Sequence, residues 1–379
     1  MASDDYRPLY GIANVFGVSH EPDGTLVALV DEKVPESELH DHDVIATAIE
    51  DVTRAFGIFP PDESDVVEVG QPSIHDEGAS WSPGLEETVA DPTPAQHRKR
   101  RRPPRAGLSE INVDGTAATA GTLAVDDDSG ERVRVSNQHV YGLAGRAASG
   151  SAIVQPSPID TGEAPADKVG EYIRGITMVD GTKADAAIRS LTDAERQQAP
   201  KAETIYGLGT ISQVRRTYSK MNGVELAKSG RTTGVSRNAV KATQANIRVR
   251  YGKDRIVERK DVLVLDPMSR GGDSGSPLVR ELSDESANST LELVGHVFAG
   301  SKRATIADKA KNIEDELNVT FLLFEEPEPD EPPRDEPPRE TPDEPGKKMS
   351  LQDALIAVLK ELATLLQALT LYIERSNRE

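Results

Sequence analysis

The chain has 379 residues, 64 acidic and 44 basic side chains, a formal net charge of -20, 36 % hydrophobic residues, seven histidines and no cysteine. That length predicts two domains with connecting segments, and the lack of cysteine excludes a disulfide framework and thiolate metal sites. The acidic balance argues against general nucleic-acid binding, which needs clustered Lys and Arg on the phosphates.

Residues 1–70 read as a small α+β domain. Tyr10 to Val18 and Thr25 to Val30 predict paired strands around an Asp-Gly turn, Asp43 to Phe56 a helix, and Asp65 to Val69 a further strand. No signal-peptide core follows the acidic start Met1-Ala2-Ser3-Asp4-Asp5, and no run is apolar enough to span a bilayer. The expected compartment is therefore the cytoplasm. Arginines outnumber lysines 28 to 16. So acidic a surface stays hydrated where salt shortens the reach of like-charge repulsion, which fits a halophilic cytoplasm or a virus particle. Residues 71–105 form a Pro- and Glu-containing linker that ends in the basic run Arg98 to Arg105, expected to be solvated and docked on an acidic surface.

The next segment carries chemistry. Gly121 to Val125 and Arg132 to Ser136 read as a hairpin around the turn Asp126-Asp127-Asp128-Ser129-Gly130, and the second strand runs into a loop bearing His139. His20, His40, His42, His75, His97 and His296 lack a catalytic flank. Asp185, in Lys183-Ala184-Asp185-Ala186-Ala187-Ile188, is the best of several acids to bury against an imidazole. Asp160, Asp167 and Asp180 lie in Gly/Pro-rich or charged loops, where solvated turn carboxylates are expected. Further on come Lys228-Ser229-Gly230-Arg231-Thr232-Thr233-Gly234, Gly271-Gly272-Asp273-Ser274-Gly275-Ser276-Pro277 and Leu293 to Ser301. Nothing has the spacing of a metal site, and no cofactor is expected.

These motifs, in this order, resemble the chymotrypsin-like serine peptidases of the cysteine-free microbial kind, streptogrisin-like and narrow-leaf trypsin-like proteins among them. The resemblance covers 106–324 and implies a mainly β fold, a double six-stranded β-barrel. It implies a triad of His139, Asp185 and Ser274, with an oxyanion hole from the backbone of Gly272 and Ser274. Order excludes subtilisins and α/β-hydrolases, which place the three residues differently. By the same resemblance Asp273 needs a cationic partner: Lys228, or failing that Arg231. Met268 stands where trypsins carry a specificity aspartate, so a neutral pocket of Met268, Phe298, Ala299 and Gly300 is expected to favour apolar or small side chains. Ser276 replaces a glycine of the family pattern.

Residues 325–348 repeat Glu-Pro-Pro-Arg and Asp-Glu-Pro and predict an extended polyproline-like spacer. A helix over 349–379 follows, capped at Ser350, with Leu351, Leu355, Val358, Leu362, Leu365, Leu369 and Tyr372 as a heptad seam. Residues 350–373 are thus expected to self-associate or to take a partner helix. Three functions remain open: a serine endopeptidase acting on polypeptides, a catalytically silent protease fold used as a peptide-binding or assembly module, and a self-processing protease.

Overall fold

The computed structural model describes residues 15–20, 26–30, 66–68, 73–74, 94–198, 203–252, 255–282 and 290–323. By its internal contacts the chain divides into units 1–325 and 326–379, and every described residue belongs to the first. The helix expected from Asp43 to Phe56, the spacer 325–348 and the heptad helix therefore lie outside the described residues. Among those residues the fold is mainly β with two sheets, as a chymotrypsin-like double barrel calls for.

The first sheet has seven strands in the order Val319–Phe321, Leu123–Asp126, Arg132–Ser136, Ala187–Ser190, Lys168–Gly175, Ala152–Val154 and Ile111–Asn112. Val133, Val135, Ile188 and Ala124 face an apolar cluster that also takes Ile211, Val279, Leu291 and Leu293 of the second sheet, so the two sheets share a core. Each of the valine, isoleucine and leucine side chains contributes about 1.5–3 kcal/mol by leaving water. A strand with one wet face would leave Arg134 and its cross-strand neighbour Arg189 in solvent. Instead both are fully buried. Arg189 makes paired hydrogen bonds to Glu110 (2.8 and 2.9 Å) and to Glu195 (2.9 and 2.9 Å), while Arg134 reaches Glu203 at 3.2 Å. Two guanidinium groups side by side repel, and the ring of carboxylates offsets that cost and the cost of burial.

In the twelve-stranded second sheet, six strands pair in a ring: Glu225–Gly230, Gly234–Tyr251, Arg255–Leu265, Thr305–Lys309, Thr290–Gly300, Pro277–Leu282, and back to Glu225–Gly230. The described N-terminal strands join this sheet. Val15–His20 runs antiparallel to Gly234–Tyr251 with Gly17 opposite Ile247, and Leu26–Val30 then pairs with Val15–His20. Leu29 is buried in one cluster with Ile247, Val264 and Phe298.

The basic run is held to the body. Arg100 pairs with Asp167 at 2.6 Å, the Arg101 guanidinium lies 4.9 Å from the Tyr206 ring centre, and Arg134 donates to Pro104 O at 3.2 Å. Just before it, His97 is fully buried with Nε2 3.1 Å from Ser229 Oγ. His97 has no catalytic flank in the sequence; what fixes it is a contact across 132 positions.

Candidate active site

His139 does not sit in an open loop. The strand Arg132–Ser136 passes through extended Asn137 into a helical turn, Gln138–Tyr141, whose Val140 and Tyr141 are buried in the interior of the first sheet. That turn is anchored by its apolar face, which leaves His139 to project from the other. Asn137 makes no capping bond; its Nδ2 donates to Asp185 O at 2.9 Å and so ties the two segments together.

The Asp185 carboxylate is fully buried and receives three hydrogen bonds. His139 Nδ1–H donates to Oδ2 at 2.7 Å, the His139 amide to Oδ1 at 3.2 Å, and the Tyr251 hydroxyl to Oδ2 at 3.0 Å. Burial pushes this carboxyl up, but the His139 ring and amide and the charge of Arg259 outweigh it and hold the group below the usual carboxylate range. Behind it lies Asp308, which accepts from the Asp185 amide at 2.8 Å. Burial drives Asp308 up to about 8, with Arg259 pulling the other way and Asp185 adding to the rise.

Ser274 lies on a loop shaped by two left-handed glycines, Gly272 (φ 89°) and Gly275 (φ 91°). A Cβ at Gly275 would stand 2.2 Å from both Ser136 Oγ and Thr119 O, so only glycine lets this loop press against the end of the strand that leads to His139. The amides of Asp273, Gly275 and Ser276 are paired, with Arg270 O (2.9 Å), Val297 O (2.8 Å) and Asp273 O (2.9 Å). Those of Gly272 and Ser274 have no protein acceptor among the described residues. Two free amides that flank a serine can bind one anionic oxygen. Ser274 Oγ donates to Phe298 O at 3.3 Å, and His139 Nε2 is buried without a partner among the described residues. No hydrogen bond joins the two side chains.

Lys228 and Asp273 are brought together. Both are fully buried, with Nζ 3.2 Å from Oδ2. The carboxylate also accepts from the amides of Thr232 (2.8 Å), Thr233 (3.2 Å) and Arg270 (2.9 Å) and from Thr233 Oγ1 (2.7 Å). Burial raises the Asp273 carboxyl, yet Lys228 and these donors leave it lowered overall, and burial pulls the Lys228 ammonium down against the pull of Asp273. Arg231, the other cation considered, pairs with Asp160 instead, at 2.8 Å through each of two nitrogens. Asp160 and Asp167 are thus not solvated turn carboxylates: their side chains keep 8 and 12 % exposure because arginines distant in sequence cover them.

The proposed pocket residues are not gathered into one cluster. Met268 is buried among Tyr218, Met221, Leu226 and Leu265, whereas Phe298 packs with Val27, Leu29 and Ile247 under the Arg259 guanidinium, 5.6 Å from its ring centre. Ala299 is buried beside Phe298 in the same group, and Gly300 ends the strand. Three residues near the site gave no sequence signal. Thr119 donates its amide to Ser274 O (2.8 Å) and its hydroxyl to Gly272 O (2.9 Å), and Tyr251 and Asp308 stand behind Asp185. Each acts across more than 60 positions, and no local pattern marks it.

No protein-family model matches the chain, and no curated protein sequence matches it. Solved structures similar to it are microbial serine proteases. One is described as a glutamic acid specific serine protease that uses a novel histidine triad in substrate binding; it is 21 % identical at a TM-score of 0.40 over 57 % of this chain and 100 % of its own. Protease A of Thermobifida fusca is 14 % identical, TM-score 0.39, over 58 and 98 %. The chymotrypsin of Cellulomonas bogoriensis is 13 % identical, TM-score 0.38, over 58 and 98 %. The likeness is one of fold.

Proposed function

We propose that this protein is a serine endopeptidase that cleaves peptide bonds through an acyl-enzyme. Ser274 Oγ attacks the scissile carbonyl carbon, His139 Nε2 takes the hydroxyl proton and passes it to the leaving amine, and Asp185 fixes the tautomer with its proton on Nδ1. The amides of Gly272 and Ser274 bind the oxyanion. Water then repeats the sequence on the ester and frees the acid product.

The observation that carries this reading is the buried His139–Asp185 bond of 2.7 Å together with an Nε2 that has no acceptor or donor to give up. Ser274 Oγ has only a long bond to Phe298 O to leave, and catalytic hydrogen bonds commonly close only when substrate is bound. Met268 carries no charge to meet a basic side chain, so cleavage beside apolar or small side chains is the specificity proposed, with Met268 and Phe298 in separate apolar clusters. Residues 350–373 assemble copies or bind a partner helix.

The test is labelling with a fluorophosphonate probe, in wild type and Ser274→Ala, at low and molar salt. Labelling lost only in the variant supports the enzyme. No labelling in either salt overturns it and leaves a silent protease fold as the function. Intact mass on the same samples reads out self-cleavage.

A further inference from the structure

The backbone that carries Asp185 is gripped from behind. The amides of Lys183 and Ala184 donate to the two Glu316 oxygens at 2.9 and 3.1 Å, and that of Asp185 to Asp308 Oδ2 at 2.8 Å. Glu316 belongs to the helix Ala310–Leu317 and Asp308 to the strand Thr305–Lys309. The amides of this segment are therefore held by residues that follow the nucleophile in sequence, and the Asp185 carbonyl by Asn137.

The carboxylate itself is held differently. Two of its three donors, Nδ1–H and the amide, come from His139, the residue whose ring it has to orient. The amide is main chain on an anchored turn and holds Oδ1, but the ring N–H on Oδ2 cannot locate the carboxylate that has to orient it. The third donor, Tyr251, belongs to another element, the strand Gly234–Tyr251, and its ring also meets the imidazole edge to face at 6.3 Å and 75°. Tyr251 is 5 % exposed and sits in the apolar cluster of Val249, Val257 and Phe298, so it has little room to turn away. Burial and the Asp185 charge push its phenol well above the usual range, which keeps the hydroxyl protonated and able to donate.

Resting on the endopeptidase reading, we infer that Tyr251 is a positioning residue of the triad: its hydroxyl fixes the rotation of the Asp185 carboxylate from a strand outside the His139 segment, and its ring backs the imidazole. It touches neither substrate nor reacting atoms. Without the hydroxyl, Oδ1 is held by the His139 amide alone and Oδ2 only by the ring it orients, so the carboxylate gains freedom to turn about the amide bond and the imidazole follows it.

The test uses the full chain with Tyr251→Phe, and with 3-fluorotyrosine at position 251 as the variant that keeps the hydroxyl. Phenylalanine is expected to lower kcat about tenfold, the weight of one hydrogen bond to a charged group, with KM unchanged. The low-field proton resonance of His139 Nδ1 should broaden through faster solvent exchange. Fluorotyrosine should restore both. The resonance does not depend on turnover, so it decides the inference even if Ser274 proves unreactive. An unchanged resonance and rate in Tyr251→Phe overturn the inference, as does a loss that fluorotyrosine fails to restore. Absence of the resonance in wild type at every pH removes the bond on which it is built.

Discussion

Replacing Lys228 by alanine removes the only cation paired with Asp273 among the described residues, at a site where both side chains have 0 % exposure. Breaking a buried pair by deleting one partner typically costs about 3–5 kcal/mol, because the remaining charge stays out of water. Asp273 keeps four other donors, from Thr232, Thr233 (two) and Arg270, so the lower end, about 3 kcal/mol, is expected. For a domain of this size about 1 kcal/mol moves the midpoint about 2–4 °C, so the variant should melt about 6–12 °C lower at pH 7. Molar salt should not restore it, since ions do not reach a buried pair. In wild type the folded Asp273 carboxyl is lowered below its reference value of 3.8. Its contribution is thus present above that value and lost as pH falls through the folded one. In Lys228→Ala the uncompensated burial raises the same group, so the gap between variant and wild type should narrow as the pH is lowered. The amides of Gly272 and Ser274 flank Asp273, so fluorophosphonate labelling should slow together with the loss of stability. Calorimetry at several pH values and the labelling rate read out both effects, and a Lys228→Met/Asp273→Asn double variant, which leaves no charge behind, should recover much of the stability. A Lys228→Ala protein that melts within about 2 °C of wild type and labels at the same rate refutes the reasoning, since one degree is here worth only a fraction of a kcal/mol.

Asp308, raised by burial to about 8, binds a proton in the folded state that the unfolded chain has lost above 3.8, so stability from this group falls as pH rises through that window. Asp308→Asn should flatten this slope, measured as urea midpoints at pH 5, 7 and 9. His296 has the opposite sense: burial lowers it to about 3 from 6.5, the unfolded chain binds the extra proton between those values, and stability falls as pH drops. His296→Gln should remove that acid sensitivity, and an unaltered acid melting curve would contradict it. Thr119→Val deletes the hydroxyl bonds to Gly272 O (2.9 Å) and from the Arg231 amide (3.0 Å). The expected cost is about 1–3 kcal/mol, with slower labelling of Ser274 and an intact His139 Nδ1 resonance.

The sequence by itself carried the parts of this protein that are local. Strand alternation marked the hairpin Leu123–Asp126 and Arg132–Ser136, and glycine spacing marked the loop around Ser274, since a left-handed backbone at 272 and 275 admits few other residues. Local pattern read less well at Arg132 to Tyr141, where apolar contacts of Val140 and Tyr141 make a helical turn of what reads as a loop.

What only the tertiary structure decided is which charge meets which. Lys228 and Arg231 lie three residues apart with nothing local to separate them, yet Lys228, inside a strand paired on both sides, reaches Asp273, while Arg231, just past the end of that strand, reaches Asp160. Tyr251, Asp308 and Glu316, on two strands and a helix, and Thr119, on the segment before the first-sheet hairpin, converge on the candidate site. A buried carboxylate must be met by donors from some direction, and the fold, through strand pairing and core packing, supplies that direction. Sequence can announce that Asp185 needs partners; only the folded sheets determine that a tyrosine at the end of a long strand is one of them.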